Sequence, residues 1–145
     1  MANFRIFIDS DVTIDLLAQR EHYPAAAELF DLVEAKQIVG HTTPVVLANV
    51  EYIIKKYSSS TKARKALQML LKQLTVLPMD HGIAQRAVDS TFPDFEDAMQ
   101  YYAAEKGKID FIVTRNTRDY EKGSITVMTA EDFIELQRSA DNPEV

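Results

Sequence analysis

Residues 4–11 read FRIFIDSD, a short apolar run that ends in two aspartates. Such a run, bounded by polar residues, is typical of a strand buried inside a parallel sheet. The next apolar residues, Val12, Leu16 and Leu17, follow at helical spacing, so the strand should lead directly into a helix. The beginning of the chain therefore predicts a strand–helix unit with two acids at its junction.

Strand and helix patterns alternate from this unit to the end of the chain. Further strands are predicted at Ile38–Gly40, Leu74–Leu77, Phe111–Val113 and Ile125–Met128. Further helices are predicted at Pro24–Lys36, Pro44–Tyr57, Thr61–Gln73, Asp80–Ser90, Asp94–Lys106 and after Thr129. Alternation of this kind places helices on both faces of a parallel sheet. The predicted fold class is α/β, a three-layer α/β/α arrangement around a mainly parallel sheet of about five strands.

Length and composition indicate one ordinary domain. The chain has 145 residues, of which 46% are hydrophobic and 26% charged, as in an average globular protein. We assign residues 1–138 to a single domain and residues 139–145 to a frayed C-terminal tail. The absence of cysteine excludes disulfides, thiolate zinc sites and cysteine nucleophiles. The start MANFRIFIDS lacks the charged and apolar regions of a secretion signal, and no apolar stretch could span a membrane, so we expect a cytoplasmic protein without membrane association.

Acidic residues follow the predicted strands. In open parallel α/β sheets, ligands bind outside the carboxyl ends of the strands. Asp9 and Asp11 come directly after the first strand, and Asp119 lies a few residues beyond the fourth. Asp94 and Asp97 lie in the first turn of a helix, where the helix dipole favours acids with or without a function. We therefore expect an acidic site at this edge of the sheet.

Glu51 is the least expected of the acids. On its predicted helix it shares an apolar stripe with Leu47 and Ile54, where a carboxylate is costly unless it is paired or binds a metal. A glutamate that reaches solvent or pairs with an arginine is the other interpretation. The three histidines show no metal-binding spacing: His22, His41 and His81. Carboxylates without cysteine or paired histidines are typical of a site for a hard cation such as Mg²⁺ or Mn²⁺.

Four segments together resemble the PIN domain, the nuclease fold of the toxins of VapBC-type toxin–antitoxin pairs and of many RNA-processing enzymes. They are FRIFIDSDV, TTPVVLANVEYII, FEDAMQYYAA and DFIVTRNTRDY. Each segment alone is a weak signal, whereas their order and spacing are fairly specific. The resemblance extends from about Phe4 to Leu136, and it implies the same parallel α/β fold.

The resemblance also implies a chemistry, which is Mg²⁺- or Mn²⁺-dependent hydrolysis of phosphodiester bonds in single-stranded RNA. Carried over by position, the metal-binding residues are Asp9, Glu51 and Asp97, and the catalytic set is Asp9, Glu51, Asp97 and Asp119. The family often has a Thr-x-Asp pattern after the fourth strand, where this chain has Thr114-Arg115-Asn116. Asp119 is then expected to supply the missing charge. The expected accessory residues are Asp11, Asp94, Thr114 and Asn116.

A basic segment provides candidate RNA contacts. Between Tyr52 and Met79 there is no acidic residue, while six lysines and arginines lie there. The candidate RNA-binding residues are Lys55, Lys56, Lys62, Lys65, Arg115 and Arg118, although a solvated helix face is an alternative interpretation for the lysines. The resemblance further implies an antitoxin protein as a partner and a homodimer, to which Tyr52, Tyr57 and Met69 could contribute.

Two other functions remain open from the sequence. IFIDSDVT fits the DxDxT motif of haloacid-dehalogenase-like phosphatases, with Asp9 as nucleophile and Asp11 as acid. In that family an acidic pair follows the strand that ends in Ser or Thr, but here the pair Glu96-Asp97 precedes Thr114. The second alternative is a non-catalytic PIN-like domain that binds RNA or protein, because Asn116 stands where the family often has an acid.

Overall fold

The computed structural model describes residues 3–141 and contains one parallel sheet with helices on both faces. The strands are β1 (Arg5–Ile8), β2 (Val39–Thr42), β3 (Thr75–Val76), β4 (Phe111–Val113) and β5 (Thr126–Met128). The helices are α1 (Ser10–Leu17), α2 (Tyr23–Glu34), α3 (Pro44–Tyr57), α4 (Ser60–Gln73), α5 (His81–Val88), α6 (Phe95–Lys106) and α7 (Ala130–Asp141), and a 3₁₀ turn spans Thr117–Tyr120. The predicted α/β class and three-layer arrangement are confirmed.

The strand order is β3-β2-β1-β4-β5, and all neighbours are parallel. The chain runs outward from β1 to β3 and then returns across the sheet to β4 and β5. Because parallel crossovers are right-handed, this reversal puts α5 and α6 on the face opposite to α1–α4. The order of strands therefore switches between β1 and β4, where open α/β sheets bind ligands.

The strands are apolar because helices cover both faces of the sheet. Ile6, Phe7 and Ile8 in the central strand are completely buried. A β-carbon at Gly40 would lie only 2.6 Å from a methyl group of Leu74, so glycine lets helices approach β2 closely. The core thus fixes the sheet rigidly beneath the loops that follow β1 and β4.

The last helix extends past the predicted domain boundary at residue 138. The helix α7 continues to Asp141, so residues 139–141, which the sequence assigns to a tail, belong to this helix. Gln137 is buried, and Arg138 pairs with Glu28 of α2 at 2.6 Å, which attaches the last turn to the rest of the protein. The remaining tail residues, 142–145, lie outside the described residues. Within residues 3–141, no helix combines the length and the apolar composition that crossing a membrane requires.

Candidate active site

The candidate site lies where β1 and β4 end side by side. Asp9 follows β1, and its N–H donates to the carbonyl of Val113 at 3.0 Å. Thr114 follows β4, so the two side chains project from adjacent strand ends. Asp9 also caps α1, because its Oδ1 accepts a hydrogen bond from the N–H of Ser10 at 2.7 Å.

The carboxylate of Asp9 is surrounded by hydrogen-bond donors. Besides Ser10, its Oδ1 accepts from Nε2 of Gln100 at 3.2 Å. Its Oδ2 accepts from the hydroxyls of Tyr120 at 3.0 Å and Thr114 at 3.1 Å. Four donors match the roughly four lone-pair positions of a carboxylate. Asp9 is therefore a nearly buried carboxyl group whose orientation is fixed by four hydrogen bonds.

Two uncharged residues that are distant in sequence, Gln100 and Tyr120, hold this carboxyl group. The hydroxyl of Thr43, which caps α3, donates to Oε1 of Gln100 at 2.8 Å and thereby directs Nε2 of Gln100 toward Asp9. Gln100 also donates to the hydroxyl of Tyr120 at 3.1 Å. Burial and the nearby carboxylate of Asp9 raise the pKa of Tyr120, so its hydroxyl keeps its proton and donates to Asp9. A continuous buried network thus links α3, α6 and the 3₁₀ turn.

Asp11 lies next to this network. Its Oδ2 accepts from the N–H of Arg115 at 3.1 Å and lies 3.1 Å from the hydroxyl of Thr114. Since Thr114 has one hydroxyl proton, it can donate to Asp9 or to Asp11 but not to both at once. Burial, followed by the charge of Asp11, raises the pKa of Asp9 above its ordinary value.

A second group of acids lines a small cavity that we call the acidic cleft. The cavity has a volume of about 110 Å³ and is lined by Pro93, Asp94, Asp97, Arg118, Asp119, Glu121 and Lys122. Asp94 caps α6 by accepting from the N–H of Asp97 at 2.9 Å, which orients the first turn of that helix. Within residues 3–141, neither the Asp97 nor the Asp119 side chain accepts a hydrogen bond or pairs with a cation.

Electrostatic repulsion in the cleft is strong. Burial raises the pKa of Asp97 to about 7, and four neighbouring carboxylates add to the rise: Asp94, Asp119, Asp9 and Glu96. Burial also raises the pKa of Asp119, with smaller contributions from Asp11 and Asp94. A bound cation would remove this repulsion, and carboxylate oxygens are the donors that Mg²⁺ and Mn²⁺ prefer. The charge and the donor chemistry of these residues therefore fit a divalent metal ion.

The side chains do not form a closed metal site. In the described part of the chain, no three histidine, aspartate or glutamate side chains are placed to hold one ion together. Glu51 is half-buried on α3 and makes no hydrogen bond or ion pair with residues 3–141, whereas Asn49 of the same helix donates to Ser10 at 3.3 Å. The predicted metal-binding role of Glu51 stays a prediction, as does the set of Asp9, Glu51 and Asp97.

The predicted RNA-binding lysines lie away from the acidic cleft. Lys62 lines a groove with Leu17 and Ala18, at the end of α1 opposite to Asp9. An eight-residue helix separates the two ends by about 12 Å. The remaining lysines of the set are exposed on the same helical hairpin: Lys55, Lys56 and Lys65.

Of the three residues predicted to contribute to a homodimer, two are exposed and one is packed against the core. Tyr52 and Tyr57 are 61% and 73% exposed, and the ammonium of Lys56 lies over both rings. Met69 instead packs against the core. Arg118 lines the acidic cleft.

Sequence reasoning missed Gln100, Tyr120, Thr43 and Asp15. The first three form the network that holds Asp9, and Asp15 pairs with Arg115. One signal was available for Gln100, because it lies three residues after Asp97 and so on the same side of α6.

Comparisons with known proteins agree with the geometry. A family profile described as the PIN domain matches residues 5–118. Among solved structures, VapC20 from Mycobacterium tuberculosis, a sarcin–ricin-loop-cleaving toxin, has a TM-score of 0.67 and 17% identity over 81% of this chain and 95% of that chain. A toxin–antitoxin complex from Klebsiella pneumoniae has a TM-score of 0.66 and 23% identity, over 86% of this chain and 97% of that chain.

VapBC2 from Rickettsia felis, bound to a promoter DNA fragment, has a TM-score of 0.63 and 13% identity over 86% of this chain and 97% of that chain. Identities this low show a shared fold alone. Comparison of the sequence with curated proteins gives no match. The profile match covers most of the chain, and it includes both strand ends that carry Asp9 and Thr114. The chain belongs to the PIN-domain family.

Proposed function

We propose that the protein is a Mg²⁺- or Mn²⁺-dependent endoribonuclease that hydrolyses phosphodiester bonds of single-stranded RNA in the cytoplasm. The observation that carries the proposal is the state of Asp97. This half-buried carboxylate has a pKa raised to about 7 by burial and surrounding acids, and within residues 3–141 it forms no salt bridge. A site with unbalanced negative charge beside a fixed carboxylate, Asp9, is suited to a divalent cation and a phosphate.

The residues of the site have distinct roles in this proposal. Asp9 and Asp97 hold the cation, and Glu51 is the proposed third ligand. Bound Mg²⁺ or Mn²⁺ would neutralise charge on the phosphate and lower the pKa of the attacking water. Asp119 is the proposed acceptor of the proton of that water, because it lies in the same cleft and burial raises its pKa above the ordinary value. Arg118, in the same cleft, is placed to attract the phosphate.

We further propose that the protein acts as the toxin of a toxin–antitoxin pair. Support comes from the family and from solved neighbours described as a toxin and as toxin–antitoxin complexes. An antitoxin protein and a second copy of the chain are the proposed protein partners. The exposed rings of Tyr52 and Tyr57 are candidate contacts of the homodimer. Membership of the PIN family leaves the phosphatase interpretation of Asp9 and Asp11 without support.

The test is incubation of the purified protein with mixed structured and unstructured RNAs, with Mg²⁺, with Mn²⁺ and with EDTA. We expect cleavage of unstructured RNA with either metal and none with EDTA. Asp97→Asn and Glu51→Gln should each abolish cleavage. Asp132→Asn is the matched control, because Asp132 has the same position in the first turn of α7 that Asp97 has in α6, and it lies on an exposed surface.

Three results would contradict the proposal in different ways. Cleavage that persists in EDTA would exclude the metal mechanism. Full activity of Glu51→Gln would remove Glu51 from the site and leave the rest. Metal binding without cleavage of any RNA would favour the non-catalytic module, for which the amide of Asn116 in place of an acid is the supporting observation.

A further inference from the structure

A salt bridge beside the acidic cleft has no role in the scheme above. Nε of Arg115 lies 3.0 Å from Oδ2 of Asp15. The Asp15 side chain is 1% exposed, whereas 35% of the Arg115 side chain is exposed. The pair therefore joins a buried carboxylate to an arginine that solvent can reach.

The same arginine is held a second time through its main chain. The N–H of Arg115 donates to Oδ2 of Asp11 at 3.1 Å. Asp11 and Asp15 are four residues apart on α1, so they lie one turn apart on the same helix face. Arg115 is thus attached to both acids, and its side chain lies along α1 directly next to the candidate active site.

Stability alone does not explain this ion pair. Neither oxygen of Asp15 has a hydrogen-bond partner in residues 3–141, so charge alone compensates its burial, and the largest compensating charge is that of Arg115, ahead of His22 and Arg20. Burial raises the pKa of Asp15, and the arginine opposes that rise. A buried ion pair is often no more stable than a well-packed apolar pair of similar volume. What the pair does provide is a buried negative charge that attracts the guanidinium to the side of α1.

The guanidinium keeps donors for another partner. Arginine carries five N–H donors in a planar fork that matches two oxygens of a phosphate. Nε faces Asp15, and no terminal nitrogen of Arg115 donates a hydrogen bond within residues 3–141. The surrounding carboxylates of Asp9, Asp11 and Asp119 repel an RNA strand. A fixed cation at this place would offset that repulsion for one phosphate.

We propose that Asp15 and Arg115 form a phosphate clamp, in which buried Asp15 fixes the guanidinium of Arg115 to bind a backbone phosphate of the RNA next to the one that is cleaved. The clamp rests on the proposed ribonuclease function. Within it, Arg115 contacts the substrate, and Asp15 is a positioning residue that acts through Arg115.

The test measures binding of a short fluorescein-labelled single-stranded RNA of mixed sequence over a range of salt concentrations. It uses Asp97→Asn protein with Mg²⁺, so that the strand is bound but not cut. Arg115→Gln should weaken binding roughly tenfold, as expected for a lost charge-assisted hydrogen bond. It should also reduce the slope of log affinity against log salt by about 0.7, the value for one phosphate contact on a single strand.

Two conservative variants separate charge from position. Arg115→Lys keeps a positive charge beside Asp15 but loses the planar fork of N–H donors. Its melting temperature should therefore stay close to that of the Asp97→Asn parent protein, while RNA binding weakens. Asp15→Asn keeps the charge of Arg115 but releases its side chain, so binding should weaken with the salt slope unchanged. Tighter or unchanged binding by Asp15→Asn would overturn the clamp.

The double variant Asp15→Asn/Arg115→Gln distinguishes the clamp from a purely structural pair. It leaves no unpaired buried charge, so it should fold and melt above Arg115→Gln, yet bind RNA as weakly. Parental affinity in the double variant would refute the clamp. Arg138→Gln, which removes an arginine paired with Glu28 far from the cleft, controls for the loss of one surface charge and should bind like the parent.

RNA cleavage kinetics of the wild-type protein and of Arg115→Lys without the Asp97→Asn change distinguish this inference from the proposed function. If the wild-type protein cleaves RNA and Arg115→Lys cleaves it with an unchanged KM, the clamp is wrong and the nuclease proposal stands. If Arg115→Lys raises KM more than it lowers kcat, the clamp is supported. A wild-type protein that neither binds nor cleaves RNA would refute the proposed function, and the clamp with it.

Discussion

Asp97→Asn should make the metal-free protein more stable at neutral pH. The folded pKa of Asp97 is raised from 3.8 to about 7, first by burial and then by neighbouring carboxylates. A carboxyl group whose pKa rises on folding contributes stability that is complete below its unfolded pKa and is lost as the pH rises through its folded pKa. The free energy of unfolding should therefore fall as pH increases from about 4 to about 7, where Asp97 ionises in the folded protein.

The expected size follows from the pKa shift. At about 1.4 kcal/mol per pKa unit, the full shift would correspond to roughly 4 kcal/mol. Asp97 is only half-buried, and solvent screening reduces this to roughly 1–2 kcal/mol. For a chain of this length, such a gain raises Tm by roughly 3–6 °C. The amide keeps the shape of the side chain and removes the repelling charge.

The assay is thermal unfolding of wild type, Asp97→Asn and the control Asp132→Asn, each in EDTA and in Mn²⁺, at acidic and neutral pH. Metal at one hundred times its Kd should stabilise the wild type by about 2.7 kcal/mol, because it binds only the folded protein. We expect a smaller metal response in Asp97→Asn and a full response in Asp132→Asn. An Asp97→Asn protein that melts lower than wild type and still responds fully to Mn²⁺ would refute the reasoning and remove Asp97 from the site.

Two further predictions concern the network and the basic hairpin. Tyr120→Phe removes a hydroxyl that donates to Asp9, so it should lower the free energy of unfolding by roughly 1–2 kcal/mol in thermal melts, and its effect on kcat should exceed its effect on KM. Tyr101→Phe is the control: it loses a hydroxyl bonded to Ser124 instead and should leave kcat unchanged. Replacing Lys55, Lys56, Lys62 and Lys65 with Gln should reduce the slope of log RNA affinity against log salt by about 0.7 per lost contact on long RNA. The slope should stay unchanged on RNA strands too short to span the roughly 12 Å along α1. An equal slope on long RNA would assign these lysines to solvated surface.

The fold could be predicted because its signals are local. Thr43 before Pro44 indicates a helix start, and the Thr43 hydroxyl does accept from the N–H of Val46 at 3.1 Å. Asp80 and Asp94 cap α5 and α6 in the same way. The helix α7 runs three residues past the predicted domain boundary, and its last turn contains Arg138, which pairs with Glu28 of a helix distant in sequence.

The proximity of four of the predicted acids could also be predicted, since the ends of parallel strands meet at one edge of the sheet, whereas the roles of these acids and of Glu51 stay predictions. Asp9, Asp11, Asp97 and Asp119 are indeed close enough to influence one another's ionisation. The residues that hold them could not be predicted. Tyr120 is 111 positions from Asp9, and it lies in the polar segment NTRDY, where nothing local indicates a fully buried ring.

Asp9 and Asp97 differ in the number of hydrogen-bond donors that surround their carboxyl groups, and this difference suits them to different roles in the proposed function. Four donors surround Asp9, and the buried ring of Tyr120 cannot turn away from it. Thr114 is the donor that can leave, because Oδ2 of Asp11 lies as close to its hydroxyl as Asp9 does, at 3.1 Å. Rotation of that hydroxyl frees one lone pair of Asp9 while three donors keep the carboxylate in place. Asp97 has no such donors within residues 3–141, so in the proposed function its repulsion with the neighbouring carboxylates favours a cation, and Asp9 positions that cation.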